Sequence, residues 1–288
     1  MLKEWPLVAF TILGQAAVGV FWTFHLPFVV RGRLPAYSWR LCWLAILGVV
    51  LLLMAAATGL SFFHLRHPLR ARRALGNLRT SWLSREILFE LVFMGLVAVL
   101  TWQGGLHNPE RWLQWMLLAA AGSAGGLFLY SMARLYMLPA LPAWSGAYTP
   151  LAFLLTALTA GAITTEIVVR SVVGPGVLDP DLMPVALALL VLEIAVTALA
   201  APGQGLRRVR PAPSLRPVGD ASVFWHRARI VLLAAAAAFV ALEIGSGAND
   251  IMAESGADLL LLVAFFSWLA GETAGRFHFY GLAPRPGD

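Results

Sequence analysis

The sequence predicts an all-α, polytopic membrane protein with eight transmembrane helices, and three observations predict it. Apolar residues come in blocks of roughly 20, the length of helix that crosses a bilayer core. The chain is 59% hydrophobic and 12% charged, with a mean hydropathy of +0.76, whereas soluble domains carry about 25% charged residues. No segment shows the period-two alternation over about ten residues that a membrane β-strand requires. Eleven tryptophans suit aromatic belts at the two interfaces.

The spans are expected at Pro6–Val30, Leu41–Phe63, Glu86–Trp102, Leu113–Ala133, Leu151–Val169, Met183–Ala201, Ile230–Gly245 and Ala257–Gly275. The first is too long for a signal h-region and lacks a small-residue cleavage site, so it is expected to be retained. The third and the last two are short and should run close to the membrane normal. Ser81 or Ser84 can cap the third, with Glu86 in its first turn where the helix dipole favours an acid. Small residues inside spans, Gly14 and Gly19, then Gly122, Ala124, Gly125 and Gly126, permit close helix packing. The stretch Pro202–Arg216 is a Pro- and Arg-rich loop. Nothing separates a soluble domain, so residues 1–288 are expected to form a single membrane-embedded domain.

Eight spans place the two termini and the even-to-odd loops on one face. That face carries sixteen of the 21 lysines and arginines, and the other carries five. The positive-inside rule therefore puts both termini in the cytoplasm, with the segment His64–Glu86 beside them. The net charge of +6 follows from this loop chemistry, together with anionic lipid and partner binding, and does not call for nucleic acid. The single cysteine, Cys42, excludes an intrachain disulfide and an iron–sulfur cluster held by this chain, since such clusters need about four thiolates.

The segment His64–Glu86 is the densest in chemistry. It holds Arg66, Arg70, Arg72, Arg73, Arg79 and Arg85, with His64 and His67. Topology alone accounts for many of these arginines. If helical, Arg66, Arg70 and Arg73 share one face that can clamp an acidic surface or a polar headgroup. His64 is either an interfacial residue or a hydrogen-bond and proton partner for a quinone, which imidazole suits because it titrates near neutrality. Trp82 can wall a flat headgroup. Glu86 and Glu90 lie one helical turn apart at the membrane edge and can pass a proton. Glu166, Glu193 and Glu243 also enter spans, and intramembrane acids are costly enough to suggest function. Glu193 reads either as a neutral acid hydrogen-bonded across helices or as a proton relay, and Glu272 with Arg276 as an ion pair. No two histidines lie at matching mid-membrane depth, which opposes a haem b. His107 and His226 fall in expected loops, and His278 lies past the last span.

Four stretches in order, EWPLVAFTILGQAAVG, HLRHPLRARRALGNLRTSWLSREI, ARLYMLPALPAWSGAYTPLAFLLTA and GETAGRFHFYG, resemble the membrane anchor subunit of the dimethyl sulfoxide reductase family, which includes the anchor of quinone-linked sulfite dehydrogenase. The resemblance extends over nearly the whole sequence. It implies eight helices without haem or iron–sulfur cluster, in the bacterial inner (cytoplasmic) membrane. It further implies a menaquinone or ubiquinone substrate and two partners, a four-cluster, ferredoxin-like iron–sulfur subunit and a molybdopterin catalytic subunit. Electrons would pass between the quinone pool and the partner's nearest [4Fe–4S] cluster. The family's quinol-proximal histidine falls on His64, in the pattern His-Leu-x-x-Pro-Leu-Arg-Ala. Relatives of the dimethyl sulfoxide type usually carry small residues where Arg66 and His67 stand here.

The expected quinone-binding set is then His64, Arg70, Arg73, Trp82 and Glu86, with Glu86 and Glu90 transferring protons. Arg66, Arg72, Arg79, Arg207, Arg208 and Arg210 are expected to dock the iron–sulfur subunit, and no metal site is expected. A secondary transporter and a haem-b cytochrome subunit are the alternatives. Against the first stand the lack of an inverted repeat and of paired broken helices at mid-membrane.

Overall fold

The computed structural model describes residues 5–30, 40–64, 75–106, 110–137, 144, 146–173, 182–200, 220–246 and 253–282. Eight α-helices account for most of them. They are α1 (Trp5–Val30), α2 (Arg40–His64), α3 (Trp82–Gly105), α4 (Arg111–Tyr136), α5 (Tyr148–Val173), α6 (Met183–Leu199), α7 (Asp220–Ser246) and α8 (Ala253–Gly281), with a short 3-10 turn at Leu75–Asn77 before α3. The protein is a polytopic, all-α membrane protein. Among the described residues six helices are long and apolar enough to cross a bilayer. The other two are α3, which carries Arg85, Glu86 and Glu90 near its start, and α6, an apolar helix of 17 residues.

Local chemistry sets these helices. Hydrocarbon offers no hydrogen-bond partners, so polar side chains turn back onto the helix. Thr101 donates to the Val97 carbonyl at 2.8 Å and Thr273 to that of Leu269 at 2.8 Å. Ser81 is the N-cap of α3, accepting from the Ser84 amide at 3.2 Å. This settles the choice between the two serines and starts α3 one turn before the apolar run. Pro184 sits in the first turn of α6, where its missing N–H costs nothing.

The last two helices begin or end well outside the expected spans. α7 starts at Asp220 and α8 runs to Gly281, so His226 and His278 are helical and not in loops. The reason is visible in the packing. Their polar residues pair with each other: the rings of buried His226 and half-buried His278 lie 5.1 Å apart, and His278 Nδ1 approaches the Ser222 carbonyl at 2.9 Å and its hydroxyl at 2.8 Å. Hydropathy reads such residues as solvent-facing, while pairing lets the helix continue.

α1 and α5 form the centre. A Cβ on Gly19 would lie 1.7 Å from the Ala157 carbonyl oxygen, and one on Gly161 would lie 2.3 Å from that of Gly19. Only glycine allows this backbone contact. Around this pair, α2, α3 and α4 pack on one side and α6, α7 and α8 on the other. Phe21, Phe93, Phe128, Ile46 and Met54 fill the first core, and Ile163, Leu190, Leu233 and Trp268 the second.

Candidate functional site

The alternation of the helices gathers one set of ends around the close of α2: the starts of α1, α3, α5 and α7 and the ends of α2, α4, α6 and α8. His64 is the last residue of α2. Its side chain lies outside what the structure describes, as do His67, Arg66, Arg70, Arg72 and Arg73 and the second docking group Arg207, Arg208 and Arg210.

With Ser81 as cap the first turn of α3 holds no acid, contrary to the expectation for Glu86; next to this end of α2, the second and third turns bring two carboxylates inside. Glu86 is 3% exposed, and its Oε2 has no hydrogen-bond partner. Glu90, one turn on, is also buried and accepts from the Thr58 hydroxyl of α2 at 2.5 Å. The structure therefore brings the two expected proton-transfer acids together, on the face turned into the bundle. Glu86 is also within electrostatic reach of Tyr136 and Tyr280. The Tyr280 hydroxyl donates to that of Tyr136 at 3.1 Å, and lies 3.5 Å from Thr11 Oγ1. Trp144 stacks on Phe279 at 4.9 Å and donates from Nε1 to the Phe279 carbonyl at 2.9 Å, closing this cluster from the side of α5.

Trp82 stands differently from a bare wall. The Arg85 guanidinium lies 4.2 Å from its ring centroid and that of Arg134 5.0 Å, with Tyr130 edge-on at 5.6 Å. Cation–π attraction thus fixes two charges at the rim. Arg85 also donates to the carbonyls of Leu78 at 2.8 Å and Arg79 at 2.7 Å, tying the segment that precedes α3 to the helix. Arg79 itself is exposed.

Sequence reasoning missed Thr58, Arg134, Tyr136 and Tyr280. Spacing from Glu90 gives no hint of Thr58, 32 residues away. The motif ARLY that ends α4 contains both Arg134 and Tyr136 and was the available signal.

A second polar group lies deeper at the same end. Arg229 donates through Nη2 to Glu272 at 2.7 Å and Glu193 at 3.2 Å, and through Nη1 to the Tyr148 hydroxyl at 3.0 Å. Arg276 donates to Gln15 Oε1 and, at 3.3 Å, to Thr156. Its charge lies 4.0 Å from Glu272. The expected pair of Glu272 and Arg276 is thus one edge of a larger cluster, and Glu193 has a cation as its partner. At the opposite end, Arg170 bonds Glu166 at 2.7 Å and Glu243 at 2.5 Å. His25, also at that end, packs against Phe21, Phe24 and Trp43. Among the described residues no group of three or more His, Cys, Asp or Glu is placed to hold a metal ion.

Comparison with known proteins gives these features a family. The profile of the family described as "DMSO reductase anchor subunit (DmsC)" matches residues 1–282. The C-chain of the anaerobic dimethyl sulfoxide reductase of Escherichia coli (strain K12) is 30% identical over 286 residues, which is 97% of this protein and 94% of the relative. The YnfH chain of anaerobic dimethyl sulfoxide reductase from the same organism is 29% identical over 302 residues, again 97% of this protein and 94% of the relative. The C-subunit of the sulfite dehydrogenase of Allochromatium vinosum is 43% identical over 67 residues, 23% of this protein and 18% of the relative. No solved structure matches the sequence. A multi-pass helical protein of the inner membrane, the chain belongs to the family of DMSO reductase anchor subunits.

Proposed function

We propose that the protein is the quinone-reactive anchor of a molybdopterin oxidoreductase complex, of the dimethyl sulfoxide reductase or sulfite dehydrogenase type. It spans the membrane eight times with both termini in the cytoplasm, as the sixteen-to-five distribution of basic residues supports. It exchanges electrons between the quinone pool and a [4Fe–4S] cluster of the iron–sulfur partner, and the molybdopterin subunit performs the substrate chemistry.

The observation that carries this reading is Glu86. A carboxylate that is 3% exposed with a bare oxygen, one turn from a second buried acid and beside the end of α2, is costly to keep. A polar ligand that exchanges protons at this spot accounts for it. The quinone supplies the redox chemistry. His64 hydrogen-bonds one headgroup oxygen, and Arg70 or Arg73 supplies positive charge near it. Trp82 holds the rim with Arg85 and Arg134, and Glu86 and Glu90 move protons to and from water. Arg66, Arg72, Arg79, Arg207, Arg208 and Arg210 face the iron–sulfur subunit on the cytoplasmic side.

The test is His64→Ala in the whole complex. Quinone-coupled turnover should fall at least tenfold, while turnover with a water-soluble electron donor or acceptor persists. Unchanged quinone kinetics in an intact complex would refute the assigned site.

A further inference from the structure

The deeper cluster takes no part in holding the headgroup, and its two acids are not equivalent. Glu193 and Glu272 are each 1% exposed. Glu272 is saturated: Oε1 accepts from Arg229 at 2.7 Å and Oε2 from Thr156 at 2.6 Å, with Arg276 at 4.0 Å. Glu193 shares what remains. Its Oε1 accepts from Arg229 at 3.2 Å and meets Thr156 at 3.5 Å. Its Oε2 is buried with no partner, as are Thr159 Oγ1 and the Nε atoms of Arg229 and Arg276.

We propose that Glu193 is a proton-loading site inside the membrane domain, taking up and releasing one proton as the charge at the headgroup site changes. The argument is one of unequal solvation. An ionised carboxylate in a low-dielectric interior is stable only when its oxygens are bonded. Of the two acids here, Glu193 holds the less compensated charge, so the proton goes to it. Thr159, beside it, offers a hydroxyl to the new O–H.

The charged and titratable groups facing Glu193 come from every helix around it. α5 gives Tyr148, with Thr156 and Thr159. α7 gives Arg229, with His226 one turn earlier. α8 gives Glu272 and Arg276, and α1 reaches the cluster only through the neutral Gln15. Two arginines and two carboxylates sum to zero charge, and loading Glu193 makes the cluster +1.

That charge is felt at the headgroup. Arg276 stands within electrostatic reach of Tyr136 and Tyr280, as does Glu86. Negative charge arriving at the headgroup therefore favours loading, and its departure favours release. The step is a protonation only: a carboxylate and a proton from water give a carboxylic acid, with no electron transferred to Glu193. Thr197 is buried one turn along α6 from Glu193, and Tyr148 in the first turn of α5 accepts from Arg229. The coupling rests on the proposed quinone site, whereas the loading itself does not.

Infrared spectroscopy separates these two parts. The full chain in lipid nanodiscs, without quinone, is titrated with pH, and the C=O stretch of a buried carboxylic acid is followed. The buried acids Glu86 and Glu90 contribute their own bands; beyond them, one titrating carboxyl component is expected that is lost in Glu193→Gln, shifted in Glu193→Asp and retained in Glu86→Gln and Glu90→Gln. A band of full amplitude in Glu193→Gln overturns the proposal. If that variant fails to fold, an unshifted band in Glu193→Asp overturns it instead. In the intact complex, cycling ubiquinone or menaquinone between oxidised and reduced forms should give a difference band that Glu193→Gln removes. A titrating band without a redox difference overturns the coupling when His64→Ala abolishes quinone turnover. The same result with normal His64→Ala turnover refutes the headgroup site instead, and leaves the loading standing on the titration.

Discussion

Replacing Arg229 with methionine puts the buried cluster to a quantitative test. The side chain bridges Glu272, Glu193 and Tyr148 at 2.7, 3.2 and 3.0 Å. Methionine keeps the aliphatic stem and removes the charge. Two carboxylates, each 1% exposed, then share Arg276 alone, 4.0 Å from the nearer one. Removing one partner of a buried pair costs about 3–5 kcal/mol, because it strands the other. An exposed pair is worth about 1 kcal/mol or less. Arg229→Met should therefore lose about 3–5 kcal/mol, read by titrating the purified protein from mild detergent into dodecyl sulfate and following tryptophan emission and helical circular dichroism. Adding Glu272→Gln should recover much of the loss, since the stranded charge goes with its partner. A single variant within about 1 kcal/mol of wild type, the value of a surface pair, or a double variant no better than the single, would refute this account of the cluster.

Three other substitutions test separate features. Gly275 leaves a notch for Arg229, since a Cβ there would lie 2.6 Å from Arg229 Cδ; Gly275→Ala should destabilise by about 1–3 kcal/mol as overpacking does, and should displace the guanidinium, visible as a weaker second loss when combined with Arg229→Met. Gly161→Val forces α1 and α5 apart at their backbone contact and should abolish accumulation of folded protein, measured as the monodisperse fraction in size-exclusion chromatography; normal recovery would contradict the contact. Ser81→Ala removes the cap of α3 at about 1 kcal/mol, and should speed hydrogen exchange at the amides of Ser84 and Arg85 while leaving that of α5 unchanged.

The helices were legible because hydrocarbon imposes a length and an apolar composition on each. Six of the eight meet that standard outright. What composition could not show is where the helices end. His226, Arg229, Glu272, Arg276 and His278 read as the edges of spans or as loop residues; the first four are buried and His278 half-buried inside α7 and α8, because each has a partner. Those partners lie on other helices: Gln15 and Arg276 are 261 positions apart, and a single sequence carries no signal for such a meeting. The two acids at the start of α3 were legible for the opposite reason. Glu86 and Glu90 are one turn apart, so periodicity alone puts them on one face. That this face turns inward, toward Thr58 and the Tyr136–Tyr280 pair, needed the packing.

The touching backbones of α1 and α5 also constrain how the protein is made. α1 contacts α2 at once, but the surface of Gly19 stays open until Ala157 and Gly161 have been synthesised, and the Gln15 side-chain oxygen waits for Arg276 in α8. During that interval α1 presents Thr11, Gln15 and a bare glycine groove to lipid. A product truncated after α4 would lack the partners of α1 on α5 and α8, and would leave this central helix as the part most in need of a chaperone or an insertase.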